Sequence, residues 1–555
     1  MSDNNYNYNS NAEYGNKKVL NMNRYELSNG LQLKDNTIHQ ISGPITMQYL
    51  KPINNLFFKT KKNNLPLVLL WGDHHREDTG LCPNCECDDK TKPCCYKIYD
   101  PNFLKELDKL ASIYPIDFYT EYSPDFPESN NSKNILFDRF LDKTVKDCHT
   151  KTLRSKKIYN RLCPTQNIRW HFADTRYTLD TIERHIFFVP RETLLFRKRR
   201  DLPDFFDDET KSIEEKRPHF YKVLKWINDE IFKNPYNPNT RHHQLRKEGI
   251  ETYLQLIKII LTPISYKDIY TLRNPTEEEQ KELSIDNDTQ ILVPHKKYLD
   301  LFRVYVTAMS KEKRSMIYKQ IQKIKSPLKN DEELVLFLAS IYIECNLRDI
   351  IQMEKGYTWK NKKLMSLIQL CITNPHFFTN TSIQDELTKI TSDDIYNAMS
   401  IIFLIGVSIV SVEVTFLDIY ALFRMMKQPE ESSPPFLSMG FFGATHSNNI
   451  VRILQLAPYF NYELVYQVEG TEQSKKYRKK RCLTITEPVP LASDLEEHAQ
   501  RVLSQPNSQK MYQNYMNVIK KERESREKEE KNTNGVMNIS LGGKRRIRKT
   551  IRKRK

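Results

Sequence analysis

No apolar run in this 555-residue chain is long enough to cross a bilayer. The best candidate, Ala398–Val412, has about 15 residues against the ~20 a helical span needs, so it is expected to be a buried core segment. The first residues, MSDNNYNYNSNAEYGN, lack the basic-then-apolar pattern of a secretory signal. Cysteine is sparse too. Ten in the whole chain are too few for a disulfide scaffold, and with the missing signal they point to a reducing intracellular compartment rather than secretion. Glycine is scarce, 14 residues against 30 tyrosines and many asparagines and lysines, a mix that speaks of AT-rich coding and not of chemistry. There is no convincing internal repeat and no recognisable module for reading nucleic acid.

What is present can still build a substantial core. The apolar fraction is 39% and the aromatic fraction 11%, and the length allows two or three domains or one core with large insertions. The net charge of +16 is unevenly spread: nine of those charges sit in the last twelve residues, KRRIRKTIRKRK (Lys544–Lys555), leaving +7 for the rest. A terminal block of one sign stays solvated and free to meet polyanions. Nucleic acid, an anionic membrane face and a nuclear import receptor all fit it. Any nucleic-acid binding through it is expected to be independent of sequence and sensitive to salt.

Residues 1–45 are asparagine-rich and have no period that could bury a face, so disorder is expected there. The first strong strand is Leu67–Trp71, closed by Gly72 and followed by Asp73, His74 and His75. Phe103, Leu104, Leu107, Leu110 and Ala111 share one helical face, and Ile116–Glu121 is β-prone and ends on an acid. Strand, helix and strand in this order predict a βαβ unit with its two strands as parallel neighbours. Ile168–Asp174 is a third strand, running into Arg176. From residue 183 to 402 helical periods dominate, as in Phe220, Val223, Leu224, Ile227 and Ile231. The sheet resumes at Phe436–Gly443, after a helix at Val414–Met426, and residues 491–531 read as polar helix. The expected fold class is therefore α/β, a mostly parallel central sheet flanked by helices. Residues 46–182 and 403–490 would build it, with a large all-helical insertion at 183–402 and a disordered basic tail at 532–555.

Two strands end in the same motif. Gly72-Asp73-His74-His75 and Gly443-Ala444-Thr445-His446 each close an apolar run with a glycine that permits a sharp turn, then present an imidazole at the fourth position. Either alone is ordinarily a surface or packing histidine. Two, at the ends of separate strands with acid-terminated strands between them, favour a site. A parallel sheet has one functional edge, so Asp73, His75, Glu121, Asp174 and Arg176 are expected to emerge together there. The intervening loop holds Cys82-x-x-Cys85-x-Cys87 and Cys94-Cys95. C-x-x-C is half of a zinc knuckle, because two intervening residues let both thiolates meet one tetrahedral ion. Four thiolates chosen from these five would bind one structural zinc, as a clip beside His75. The alternative is reduced loop thiols without metal, and a redox C-x-x-C fits least.

This motif set resembles the erythromycin esterase, TIKI and TraB/ChaN-like superfamily: G-[ED]-x-H after the first strand, Glu ending the next, an Asp/Arg strand end, and a late strand closing in G-x-x-H. Gly72, Asp73 and His75 match the first motif, with Asp73 where Glu is more usual. Glu121 matches the second-strand acid, Asp174 or Arg176 the third, and Gly443 with His446 the last; the match covers about 67–176 and 414–468. The resemblance implies a hydrolase in which His75 or His446 is the general base on water or a metal ligand. Glu121 would orient the histidine or share the metal, and Arg176 would stabilise developing negative charge. Histidine plus carboxylate suits Mn²⁺, Zn²⁺ or metal-free water activation. Asp418 and Arg424 stand as helpers or, more simply, as a buried ion pair or a helix surface pair. The asparagine-rich start, the LDIYALFRMM segment and the GGKRRIRK-type tail also resemble uncharacterised proteins of giant DNA viruses. That implies a place in the virus factory or nucleus of an infected host, or in the virion. The competing function is then a viral structural or packaging-associated protein that keeps the fold without the chemistry and docks on nucleic acid through Lys544–Lys555.

Overall fold

In chain order, the computed structural model has strands β1 (Gly30–Gln32), β2 (Thr37–Ile38), β3 (Gln40–Ser42), β4 (Thr46–Pro52), β5 (Leu67–Asp73) and β6 (Cys95–Lys97). Helix α1 (Pro101–Ala111) and strands β7 (Ile116–Thr120) and β8 (Arg169–Phe172) follow. Next come α2 (Ile213–Phe232), β9 (Tyr270–Arg273), β10 (Ile291–Pro294), α3 (Lys296–Ala308), α4 (Asp331–Lys355), α5 (Lys362–Thr373), α6 (Thr381–Thr388) and α7 (Ser392–Met425). The chain then re-enters the sheet with β11 (Leu437–Gly443), α8 (Ala444–Gln455) and β12 (Tyr462–Glu469). Short strands β13 (Glu472–Gln473), β14 (Arg478–Lys479), β15 (Cys482–Thr484) and β16 (Pro488–Val489) lead to α9 (Leu491–Leu503). The structure describes residues 29–528 apart from 54–64, 74–80, 83–94, 122–164, 174–209, 233–251, 281–288, 319–329, 356–361, 427–432, 456–461, 474–477 and a few isolated positions. His74, His75, Cys85, Cys87, Cys94, Asp174, Arg176 and the basic tail all lie outside the described residues.

Among the described residues the main sheet has six strands, in the order β12-β4-β5-β11-β7-β8. β5, β11, β7 and β8 are parallel, β4 is antiparallel to β5, and β12 is antiparallel to β4. This is a mostly parallel α/β sheet, but β5 and β7 are not neighbours as the local order suggests. β11 lies between them, with Leu437 opposite both Leu67 and Ile116. The reason is burial: every residue of β5 and of β11 is buried, and a strand covered on both faces belongs in the middle of a parallel sheet.

Alternation along these strands sorts their side chains onto two cores. Val68, Leu70, Tyr119 and Phe442 join α2, α3, α4, α5, α7 and α8 on one face, called here the helical face. Leu67, Leu69, Trp71, Phe118, Met439 and Phe441 join α1 and α9 on the other. There Trp71 stacks on Phe118 at 5.7 Å and meets the edge of Phe103 at 5.9 Å. Leu491, Leu495, Ala499 and Val502 give α9 a buried stripe, so this helix is amphipathic where the composition suggested a polar one.

Three further expectations change. Gly30–Gln32, Thr37–Ile38 and Gln40–Ser42 are strands: β1 pairs with β2 and β16, and β3 pairs with β6 and β15. Leu31, Ile38 and Ile41 are fully buried, but such isolated apolar residues set up no period that composition can reveal. The apolar Ala398–Val412 and the segment Val414–Met426 are parts of one helix, α7, started by a capping box between Thr391 and Asp394. Among the described residues no helix is long and apolar enough to cross a membrane. The stretch between β8 and β11 is not all-helical, since β9 and β10 pair antiparallel within it.

Candidate active site

The carboxyl ends of β5, β7 and β11 carry the candidate residues. In β11, Gly443 is the register partner of Asp73, and α8 starts at the next residue. Ser447 Oγ donates to the Trp71 carbonyl at 3.1 Å, and Gln48 Nε2 donates to Asn448 Oδ1 at 2.6 Å, so the first turn of α8 is tied to β5 and β4. A Cβ on Gly72 would stand 2.8 Å from Ala444 Cα, which is the close approach that requires glycine at this position. These ties fix where His446 sits.

His446 meets two carboxylates. Its Nδ1 lies 2.6 Å from Asp418 Oδ1 on α7, and its Nε2 lies 3.5 Å from Glu121 Oε1, one residue beyond β7. Asn449, one turn further along α8, donates Nδ2–H to the other Asp418 oxygen at 2.7 Å. Glu121 Oε2 accepts the Gly443 backbone N–H at 2.8 Å, at the positive end of α8. The Asp418 side chain is fully buried and that of His446 is 11% exposed. Burial pushes the Asp418 carboxyl up from its ordinary value, and the hydrogen bonds and charge of His446 with the amide of Asn449 oppose that rise. An acceptor fixed on Nδ1 puts the imidazole proton there and leaves the Nε2 lone pair facing Glu121.

Asp73 does not join this group. Leu67, Leu69 and Trp71 alternate onto the α1/α9 face, and Asp73 continues that parity, whereas Glu121 follows Tyr119 onto the helical face. Asp73 pairs instead with Arg481, Nε to Oδ1 3.2 Å. The expected single cluster is therefore divided by the sheet. His75, Asp174 and Arg176 cannot be placed among the described residues.

Further along the helical face, Arg169 Nε donates to Asp117 Oδ1, and Tyr119 and His171 also reach Asp117, at 3.3 Å each. Burial raises the Asp117 carboxyl, but the Arg169 and His171 charges more than offset it and leave it at about 2. Tyr119 O–H also donates to the Arg424 carbonyl at 2.7 Å, so this network fastens the end of α7 to the sheet. That makes Arg424 an anchor through its backbone, and not a partner of Asp418.

The cysteines also depart from expectation. Cys82 forms a disulfide with Cys482, and Cys95 is disulfide-bonded as well. A disulfide sulfur has no thiolate to give a metal, so these two residues leave the proposed zinc set. Among the described residues no group of three or more His, Cys, Asp and Glu side chains could hold a metal ion. Asn449 and Arg481 were missed by the sequence reading. His446-x-x-Asn449 is the i, i+3 spacing that would have flagged the first; Arg481 hides at the end of a basic turn. No protein-family model, no curated protein and no solved structure matches this chain.

Proposed function

We propose that this chain is a hydrolase of the erythromycin esterase/TIKI/TraB-like kind, with His446 as the base on water. The observation that carries the reading is the Asp418–His446–Glu121 line at the carboxyl edge of the sheet. Water held at Nε2 gives its proton to the imidazole as its oxygen attacks an ester or amide carbonyl. Asp418 steadies the resulting imidazolium, which then protonates the leaving group. Glu121, fixed by the Gly443 N–H, orients the water from the other side. The helices between β8 and β11 act in this reading as an insertion that covers the site.

A divalent metal such as Mn²⁺ or Zn²⁺ fits two of these donors. The 3.5 Å between His446 Nε2 and Glu121 Oε1 is close to the separation of about 3.4 Å expected for two ligands of one tetrahedral ion. The Asp418 contact on Nδ1 is the supporting carboxylate such a histidine takes. The metal would supply a more acidic water.

The second reading is a viral structural or packaging protein in the virus factory, nucleus or virion, bound to nucleic acid through Lys544–Lys555. The small exposure of His446, 11%, favours it. Turnover of ester and peptide arrays by the purified full chain, with His446→Gln and Asp418→Ala alongside, separates the two. Catalysis predicts a loss of about 10²–10⁴-fold in kcat/KM at unchanged circular dichroism. A wild type no better than His446→Gln on every substrate, with or without added Mn²⁺ or Zn²⁺, would leave the structural reading standing.

A further inference from the structure

The disulfide partner of Cys82 is 400 residues away in sequence, and the residue next to that partner is Arg481, the one that holds Asp73. Asp73, at the end of β5, and Cys82 are therefore held by two consecutive residues, Arg481 and Cys482, whose Cα atoms are about 3.8 Å apart. Backbone bonds complete the arrangement. Gly43 N–H donates to the Arg481 carbonyl at 2.8 Å, Cys82 N–H donates to Ser42 Oγ at 3.0 Å, and Cys482 is the register partner of Ser42.

Both members of the Asp73–Arg481 pair are nearly dry, 0% and 3% exposed in their side chains. In that setting the guanidinium steadies the carboxylate, and pulling apart a buried ion pair is costly. Yet the strand that delivers Arg481 is weak. β15 has three residues and, among the described residues, pairs only with β3 in the three-stranded sheet β15-β3-β6, so little backbone pairing keeps it there. The covalent bond from Cys482 makes up for that weakness.

We propose that Arg481 is a positioning residue for the carboxyl edge of the main sheet, and that the Cys82–Cys482 disulfide is the redox-sensitive latch keeping it there. The latch acts on the edge read above as catalytic, but it is defined by the geometry of β5 and β15 alone. Opening it takes a dithiol reductant. One thiolate attacks a sulfur of the pair and forms a mixed disulfide, and the second thiol of the reductant resolves it. Two protein thiols and one oxidised dithiol result, with two electrons and two protons transferred. Once it is open, β15 can leave β3 and carry Arg481 off Asp73, beside the register partner Gly443 on which Glu121 is anchored.

Hydrogen exchange on the full chain tests this without relying on hydrolysis. The oxidised protein is compared with protein treated with dithiothreitol in the absence of denaturant, and with the Cys82→Ser/Cys482→Ser double variant, which separates this bond from the one at Cys95. Opening should speed exchange about tenfold in peptides covering 67–73 and 481–485, and leave 116–120 and α4 protected. Arg481→Gln in the oxidised protein should loosen 67–73 with the disulfide intact, and Arg481→Lys should restore part of the protection. Unchanged exchange at 67–73 in the double variant overturns the latch, and so does a uniform rise across all peptides. No effect of Arg481→Gln at 67–73 overturns the positioning role. An inactive hydrolase would leave all of these measurements as they are.

Discussion

His446 Nδ1 lies 2.6 Å from Asp418 Oδ1, and that carboxylate sits in the interior with no exposed surface. The arrangement fixes an imidazole tautomer at a cost. The folded carboxyl is raised above its ordinary value, chiefly by burial, so its favourable contribution is complete below the unfolded value near 4 and is lost as pH rises through the folded one. In its ionised form Asp418 opposes folding, because burial penalises the charge. Asp418→Asn should therefore be as stable as the parent or gain about 1 kcal/mol at pH 7, with Asn449 turning its amide over to present an oxygen. The same change should sharply lower hydrolysis, because a neutral amide cannot offset the imidazolium charge, while its oxygen keeps the Nδ1–H preference of His446 in ¹⁵N NMR. A variant less stable by more than about 2 kcal/mol would mean that an imidazolium–carboxylate attraction outweighs the burial cost.

The strands with unbroken apolar runs were legible in the sequence, and so was the edge they end on. Leu67–Trp71 and Phe436–Phe442 each stand out because both of their faces are covered, and each runs into a glycine, Gly72 or Gly443. β4 was not legible, because Gln48 and Lys51 interrupt it; Gln48 is buried only by bonding Asn448 across the helix boundary. Asp418 stood out only as a possible helper or ion-pair member, since its partner His446 is 28 residues away and on another helix. The split of Asp73 from Glu121 follows from parity alone and could have been derived: each strand is in phase with its neighbours, and the two acids fall on opposite parities. The pairing of Cys82 with Cys482 was out of reach, since spacing within Cys82–Cys95 carries no information about a cysteine 400 positions on.

Gly72→Ala tests how α8 is seated. The added methyl would stand 2.4 Å from Thr46 Oγ1 and 2.8 Å from Ala444 Cα. Thr46 can rotate, but the Ala444 backbone opens the helix that carries His446 and must move as a body. Chemical denaturation should show a loss of about 1–3 kcal/mol, and catalysis should fall further than stability does. Full activity in a folded Gly72→Ala protein would show that the seating of α8 does not govern the site.

Arg169→Leu tests the Asp117 network. With its guanidinium partner, Asp117 stays ionised down to about 2. The depressed value means a stabilising contribution present above the unfolded value near 4 and lost as pH falls towards 2. Removing Arg169 should cost about 3 kcal/mol at pH 7, because the carboxylate is left buried with weaker partners. The gap between variant and parent in urea denaturation should narrow between pH 4 and pH 2. A gap that stays constant over that window would assign the loss to packing against Tyr515, whose ring lies 5.4 Å from the Arg169 guanidinium carbon.

The acid limb of stability at less extreme pH should belong to His498. This imidazole is fully buried on α9 and meets the edge of Phe436 at 5.8 Å. Burial pushes its pKa down from 6.5 to about 3, and the neighbouring Arg501 charge adds to the shift. Arg501 Nη2 donates to Nδ1 at 3.0 Å, which a protonated ring could not accept. A depressed histidine contributes stability that is whole above pH 6.5 and drains away as pH falls towards 3, because the unfolded chain binds the proton first. The slope should approach about 1.4 kcal/mol per pH unit between pH 5.5 and 4.5. His498→Leu keeps an apolar body against Phe436 and removes the titrating group, so its unfolding free energy should be nearly flat over that interval. The variant should also fall short of the parent at pH 7 and overtake it near pH 5, a crossing that a simple packing defect would not produce. Parallel curves for the two proteins would move the acid sensitivity to another group.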